Sequence, residues 1–162
     1  MVPKTHELHP ELAPLAFLVG IWEGEGNGEY PTVQPFGYTE RIRFEHVGEP
    51  FLLYSLQSWG REDDAPSHFE RGFFRPGSGP GEVELTLAHP LGLTEVSQGS
   101  LSGTTLDLSS TTIGRTDSGS AVTGLVRRYR VEGDVLRYEI DMAMQETPMA
   151  RHVAGELRRM GP

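Results

Sequence analysis

Six histidines and no cysteine set the chemistry open to this 162-residue chain. A bound transition metal would have to be held by His, Asp or Glu. A disulfide framework, a thiolate metal site and a cysteine nucleophile are excluded. No two histidines have the H-E-x-x-H spacing of a helical zinc site. His6 and His9 lie in a polar N-terminal stretch and His46 ends a strand-like segment, so these three are read as solvent-facing. His68 and His89 fall at strand edges among small or apolar neighbours. His152 follows Thr147-Pro148-Met149-Ala150-Arg151 and opens an amphipathic final strand. Its parity is that of Glu156, whereas Val153 and Leu157 share the other face. His152 therefore points inward only if the strand bends or bulges near its start. Met142 and Met144 alternate with Asp141 and Ala143; such stripes usually fill a core and sometimes line adaptable pockets.

Hydrolytic chemistry finds little support. There is no G-x-S-x-G, and Ser, His and Asp are common enough that a chance triad carries no weight. Glu23 and Glu25, like Glu82 and Glu84, share a strand face, where solvated surface is the plainer reading.

The elements that must position these residues are mostly strands. Strand patterns run over residues 20–30, 37–47, 51–59, 67–75, 82–88, 93–98, 104–112, 121–131, 134–145 and 151–159. Within 82–88, Val83, Leu85 and Leu87 alternate with polar residues, as in a half-buried strand. Pro31-Thr32-Val33-Gln34-Pro35 is too proline-rich for a ladder interior and is read as a connection. Before the strands, residues 6–19 hold one short helix, which Pro14 limits to about one or two turns. Short links make neighbours antiparallel, and about ten strands in one small domain close into an up-and-down barrel. The chain is thus read as a single all-β domain over 1–162, with a β-sandwich as the rival and the helix capping one end. In Gly20-Ile21-Trp22-Glu23-Gly24-Glu25-Gly26 the glycines alternate, leaving one strand face nearly bare. Trp22 is expected to be buried at the closed end, with Gly24 and Gly26 letting the strand bend.

The net charge of −9 disfavours nucleic acid and anionic membranes as partners. Residues 1–7 lack the apolar core of a signal peptide, and the apolar stretch 12–21 is too short to span a bilayer. With the missing cysteines this gives a cytoplasmic expectation.

The motif at 20–26 resembles the G-x-W-x-G-x-G of the nitrobindins, haem-binding β-barrel proteins related to the C-terminal domain of a THAP-type protein. The similarity continues through Tyr30-Pro31-Thr32-Val33-Gln34-Pro35-Phe36, Arg43-Phe44-Glu45-His46-Val47-Gly48, Arg71-Gly72-Phe73-Phe74-Arg75-Pro76 and Leu87-Ala88-His89-Pro90. It ends with Arg128-Tyr129-Arg130-Val131 and Arg151-His152-Val153-Ala154-Gly155-Glu156-Leu157-Arg158-Arg159. The chain departs from the family pattern after Pro148, where Met149-Ala150-Arg151 precedes the histidine. The resemblance implies a ten-stranded calycin-like barrel holding haem b at one open end. It implies His152 as the proximal iron ligand, Thr32 in contact with the haem, and His68, His89, Met142 and Met144 near the pocket. A single neutral imidazole at an open site is what a haem iron needs on its proximal side. The resemblance further implies binding of nitric oxide, isomerisation of peroxynitrite to nitrate, and a homodimer. Arg127, Arg128 and Arg151 are all candidates for the haem propionates, and the sequence does not choose among them. The rival functional reading is a metal-free intracellular carrier of an apolar ligand.

Overall fold

A computed structural model describes residues 4–161. A 3₁₀ helix, Pro10–Leu18, leads into ten strands: β1 (Gly20–Tyr30), β2 (Val33–Glu45), β3 (Leu52–Gly60), β4 (Pro66–Pro76), β5 (Glu82–His89), β6 (Leu93–Ser102), β7 (Thr105–Arg115), β8 (Val122–Glu132), β9 (Val135–Met144) and β10 (Thr147–Arg159). Each strand pairs antiparallel with its sequence neighbours, and β1 pairs with β10 to close the barrel. The sandwich is thereby excluded, since no sheet edge is left among the described strands.

The helix is longer than Pro14 led us to expect. Its apolar residues Leu12, Leu15 and Leu18 recur every third position and are all buried. That spacing matches the three residues per turn of a 3₁₀ helix rather than 3.6, so all three reach the core. His9 starts it, its Nδ1 accepting from the Glu11 N–H at 3.2 Å. His9 is therefore half-buried rather than solvent-facing; His46 is half-buried as well, while His6 is exposed.

Trp22 is fully buried beside this helix, as expected for the closed end. Its indole Nε1 donates to the Leu18 carbonyl at 2.9 Å. Arg159, near the end of β10, lays its guanidinium 4.2 Å over the Trp22 ring and donates to the Phe17 and Val19 carbonyls. Helix, first strand and last strand are thus locked at one end. Gly20 turns the chain from the helix into β1 with φ +139°. At Gly24 a Cβ would stand 2.0 Å from the Glu156 carbonyl oxygen, and at Gly26 it would stand 2.3 Å from the Tyr38 ring. The bare face of β1 therefore serves close approach: β10 and the Tyr38 side chain occupy the space side chains would need.

β2 begins earlier than the prolines suggested and runs through Pro35. Residues 33–37 pair with β1 alone, because β3 joins only from Tyr38↔Gly60 onward. One side of that segment carries no ladder, and a register shift falls opposite Gly28–Tyr30, so proline costs it little. No helix among the described residues is long and apolar enough to cross a membrane.

Candidate functional site

The end of the barrel away from the helix is open. There the β1–β2, β3–β4, β5–β6 and β9–β10 turns surround a cavity of about 260 Å³ that runs inward between the sheet walls. Phe36, Leu56, Leu91, Leu125 and Met142 give it apolar walls, and His68, His89 and His152 line it too. Met144 ends β9 half-buried outside that lining, and Thr32 is exposed in the β1–β2 turn at the rim. A larger depression of about 690 Å³ lies outside the wall beside Arg61 and Arg151, and no histidine lines it.

His152 reaches the cavity through a bulge. Arg151 pairs with Asp141 and Val153 with Ile140, so His152 is the extra residue, and its parity is reversed. Its Nδ1 lies 3.3 Å from the Glu29 carbonyl oxygen, to which it can only donate. The ring stands edge-on to Tyr30 and Phe36, with centroids 5.6 and 6.3 Å away. Burial lowers the imidazole pKa below its ordinary value, outweighing the bond to Glu29, and His68 across the cavity lowers it further. The ring is thus neutral at pH 7, its Nδ1 proton is committed, and its Nε2 lone pair is left for a ligand.

Across the barrel, β5 lies five strands from β10 in either direction. His89 on β5 and His68 on the adjacent β4 therefore form the wall facing His152. Their rings are 5.6 Å apart. Below them lies a polar network that the sequence reading missed. Arg127 is only 1% exposed and grips two carboxylates, each by two bonds. Its Nε and Nη2 donate to Glu95 at 2.9 and 2.8 Å, and its Nη1 and Nη2 donate to Glu70 at 3.1 and 3.0 Å. Tyr54 donates to Glu70 at 2.9 Å and Ser97 to Glu95 at 2.6 Å. Burial alone would raise both carboxyls, yet Arg127 holds Glu95 at about 2 and Glu70 well below the carboxylate range. Arg127 is therefore spent inside the barrel. Arg128 and Arg151 are paired on the outside, with Asp107 at 2.7 Å and with Asp141 at 2.7 Å.

Glu40 is different. It lines the cavity, 5% exposed, with no arginine bonded to it and with Oε1 unpartnered. Burial, reinforced by the Glu70 charge, pushes it up to about 8. Strand parity was the signal for all four residues: Glu40, Glu70, Glu95 and Arg127 share the faces of buried Ile42, Phe74, Leu93 and Tyr129. The expected surface pairs behave as surface, with Arg41 bonding Glu23 at 2.7 Å outside the barrel.

Fold and site together define a ten-stranded antiparallel barrel with one closed end, one open end and histidines on facing walls of its cavity. Residues 11–159 match the model of the THAP4-like, heme-binding beta-barrel domain. The chain belongs to that family. It is 45% identical over 157 residues to Peroxynitrite isomerase 1 of Mycolicibacterium paratuberculosis, covering 94% of this chain and 97% of that protein. It is 44% identical over 156 residues to Peroxynitrite isomerase of Nocardia farcinica, covering 94% and 92%. The crystal structure of Rv2717c from M. tuberculosis superposes with a TM-score of 0.88 at 40% identity, covering 96% of this chain and 100% of that one. The residues present fit a haem: an apolar cavity open at one edge, an unengaged Nε2 on one wall and an orphaned carboxyl oxygen within.

Proposed function

We propose that this chain is a haem-dependent peroxynitrite isomerase, with haem b held through Nε2 of His152. The observation that carries the reading is the His152 bulge, which turns the ring into the cavity while the Glu29 carbonyl fixes its tautomer. The names of the relatives support the reaction. When bound, the haem supplies a Lewis-acidic ferric iron with one position free for an anion.

The chain does the rest. His152 would hold the iron through Nε2, and Met142 lines the cavity as an apolar wall residue. Leu56, Leu125 and Ile140, all buried, exclude water from the inner walls of the cavity. Glu70 and Glu95 carry two negative charges against the one positive charge of Arg127, so the charge beside the cavity is limited rather than cancelled. Glu70 and Glu95 are engaged by Arg127, and Glu40, at about 8, carries a proton at pH 7. Peroxynitrite and nitrate have the same atoms and charge, so no side chain has to gain or lose a proton over the cycle. Thr32 at the rim would contact the haem, and His68 and His89 would line the wall opposite His152. The same open position would bind nitric oxide.

Ferric haem titrated into the haem-free barrel should give a Soret band at one equivalent. Stopped-flow mixing with peroxynitrite should then show faster decay and a higher nitrate-to-nitrite yield than buffer. A colourless protein that copurifies with lipid would replace this reading with that of an apolar-ligand carrier.

A further inference from the structure

The wall facing His152 carries an arrangement that haem binding does not explain. Glu95 is a carboxylate already gripped by Arg127, so it can only accept a hydrogen bond. His89 Nε2, 3.0 Å from Glu95 Oε1, must therefore donate to it. That fixes the His89 tautomer and leaves the Nδ1 lone pair pointing at Glu70 Oε1, 3.8 Å away. Two acceptors facing each other at that distance call for a cation between them. His68 Nε2 donates to the same oxygen at 3.2 Å, and a metal ion would take the place of that proton. The charge count agrees. Glu70 and Glu95 bring two negative charges to the site, and Arg127 brings one positive charge.

We propose that His68 Nε2, His89 Nδ1 and Glu70 Oε1 form a binding site for a borderline divalent metal ion of the zinc class. The three atoms all lie within 4.8 Å of one another. Ligands about 2.0–2.1 Å from a tetrahedral ion stand about 3.4 Å apart, and the observed 3.2 and 3.8 Å bracket that value. Two imidazoles and one carboxylate suit zinc, cobalt or ferrous iron and disfavour calcium and magnesium, which take oxygen ligands. Glu95 supplies the carboxylate–histidine support that metal-bound imidazoles usually have. Three protein ligands leave a fourth position open, and that position faces the cavity. Glu70 keeps Oε2 on Tyr54 and Arg127 Nη1, while Oε1, which also accepts from Arg127 Nη2 at 3.0 Å, would be shared with the metal. The site needs no haem, and its test separates from that of the haem reading.

The experiment titrates Co²⁺ into chelator-treated, haem-free protein, followed by visible absorption and by competition with Zn²⁺. The expected result is one equivalent bound with the intense bands of low-coordinate Co²⁺, displaced by Zn²⁺. His68→Gln and His89→Gln should each weaken binding by more than the roughly 10–100-fold that loss of an outer partner costs. His152→Ala should bind Co²⁺ as the wild type does. Uptake that survives both glutamine variants, uptake lost only in His152→Ala, or no stoichiometric uptake overturns the proposal. If a glutamine variant fails to fold by circular dichroism, proton spectra of the Co²⁺-loaded wild type decide. Paramagnetically shifted ring protons from both His68 and His89 uphold the site, and their absence overturns it.

Discussion

His152 on β10 and Glu29 on β1 are joined by a 3.3 Å contact from an imidazole nitrogen to a backbone carbonyl, across the seam that closes the barrel. The bond comes from a bulge, so a fault in strand pairing orients the side chain proposed to hold the haem. His152→Ala should lose most haem affinity. The far-ultraviolet circular dichroism should stay that of the wild type, because the ring lies half-buried at the mouth and not in the core. A Soret titration beside circular dichroism checks both; wild-type affinity in the variant would remove His152 as the ligand.

Arg127 is the sole arginine bonded to Glu70 and Glu95 among the described residues. Arg127→Met should destabilise the barrel by about 3–5 kcal/mol at pH 7, the cost of leaving buried charges unpaired. The loss should shrink as pH falls and the carboxyls protonate. Urea unfolding of both proteins at pH 7 and pH 4 measures the difference.

Glu40 and Glu95 give stability opposite pH dependences. Glu95 is held at about 2, so its contribution is present above the unfolded value near 4.5 and is lost as pH falls toward 2. Glu40 is raised to about 8, so the folded state holds a proton that the unfolded state has released. Its share of stability therefore falls as pH rises from 4.5 to 8, by at most about 1.4 kcal/mol per pH unit. Glu40→Gln should abolish that decline and be more stable than the wild type at pH 8. Parallel pH profiles for the two proteins between 5 and 8 would contradict the assignment.

Gly24 leaves no room for a Cβ, which would sit 2.0 Å from the Glu156 carbonyl oxygen and 2.6 Å from the Leu157 Cα. Both obstacles are backbone, so a side chain there must part β1 from β10. Gly24→Val should destabilise by about 1–3 kcal/mol. An unchanged denaturant midpoint would show that the seam tolerates the separation.

The sequence by itself determined about ten antiparallel strands, and the pairing of β1 with β10 decided a barrel over a sandwich. Alternation such as Val83, Leu85 and Leu87 marks which residues face inward, and turn residues at short intervals force antiparallel neighbours. It also determined that Trp22 is buried at the closed end. Periodicity could not decide the orientation of His152, because one unpaired residue reverses parity and the bulge exists only when β10 is laid against β9. Nor could it decide that Pro35 sits in a strand, since that depends on β3 stopping short of it. The same holds for the Arg127 network. Parity puts Glu70, Glu95 and Arg127 inside, but the three come from β4, β6 and β8, separated by up to 57 residues. Only closure of the barrel brings them within bonding distance, and only their proximity makes it possible to bury such charges.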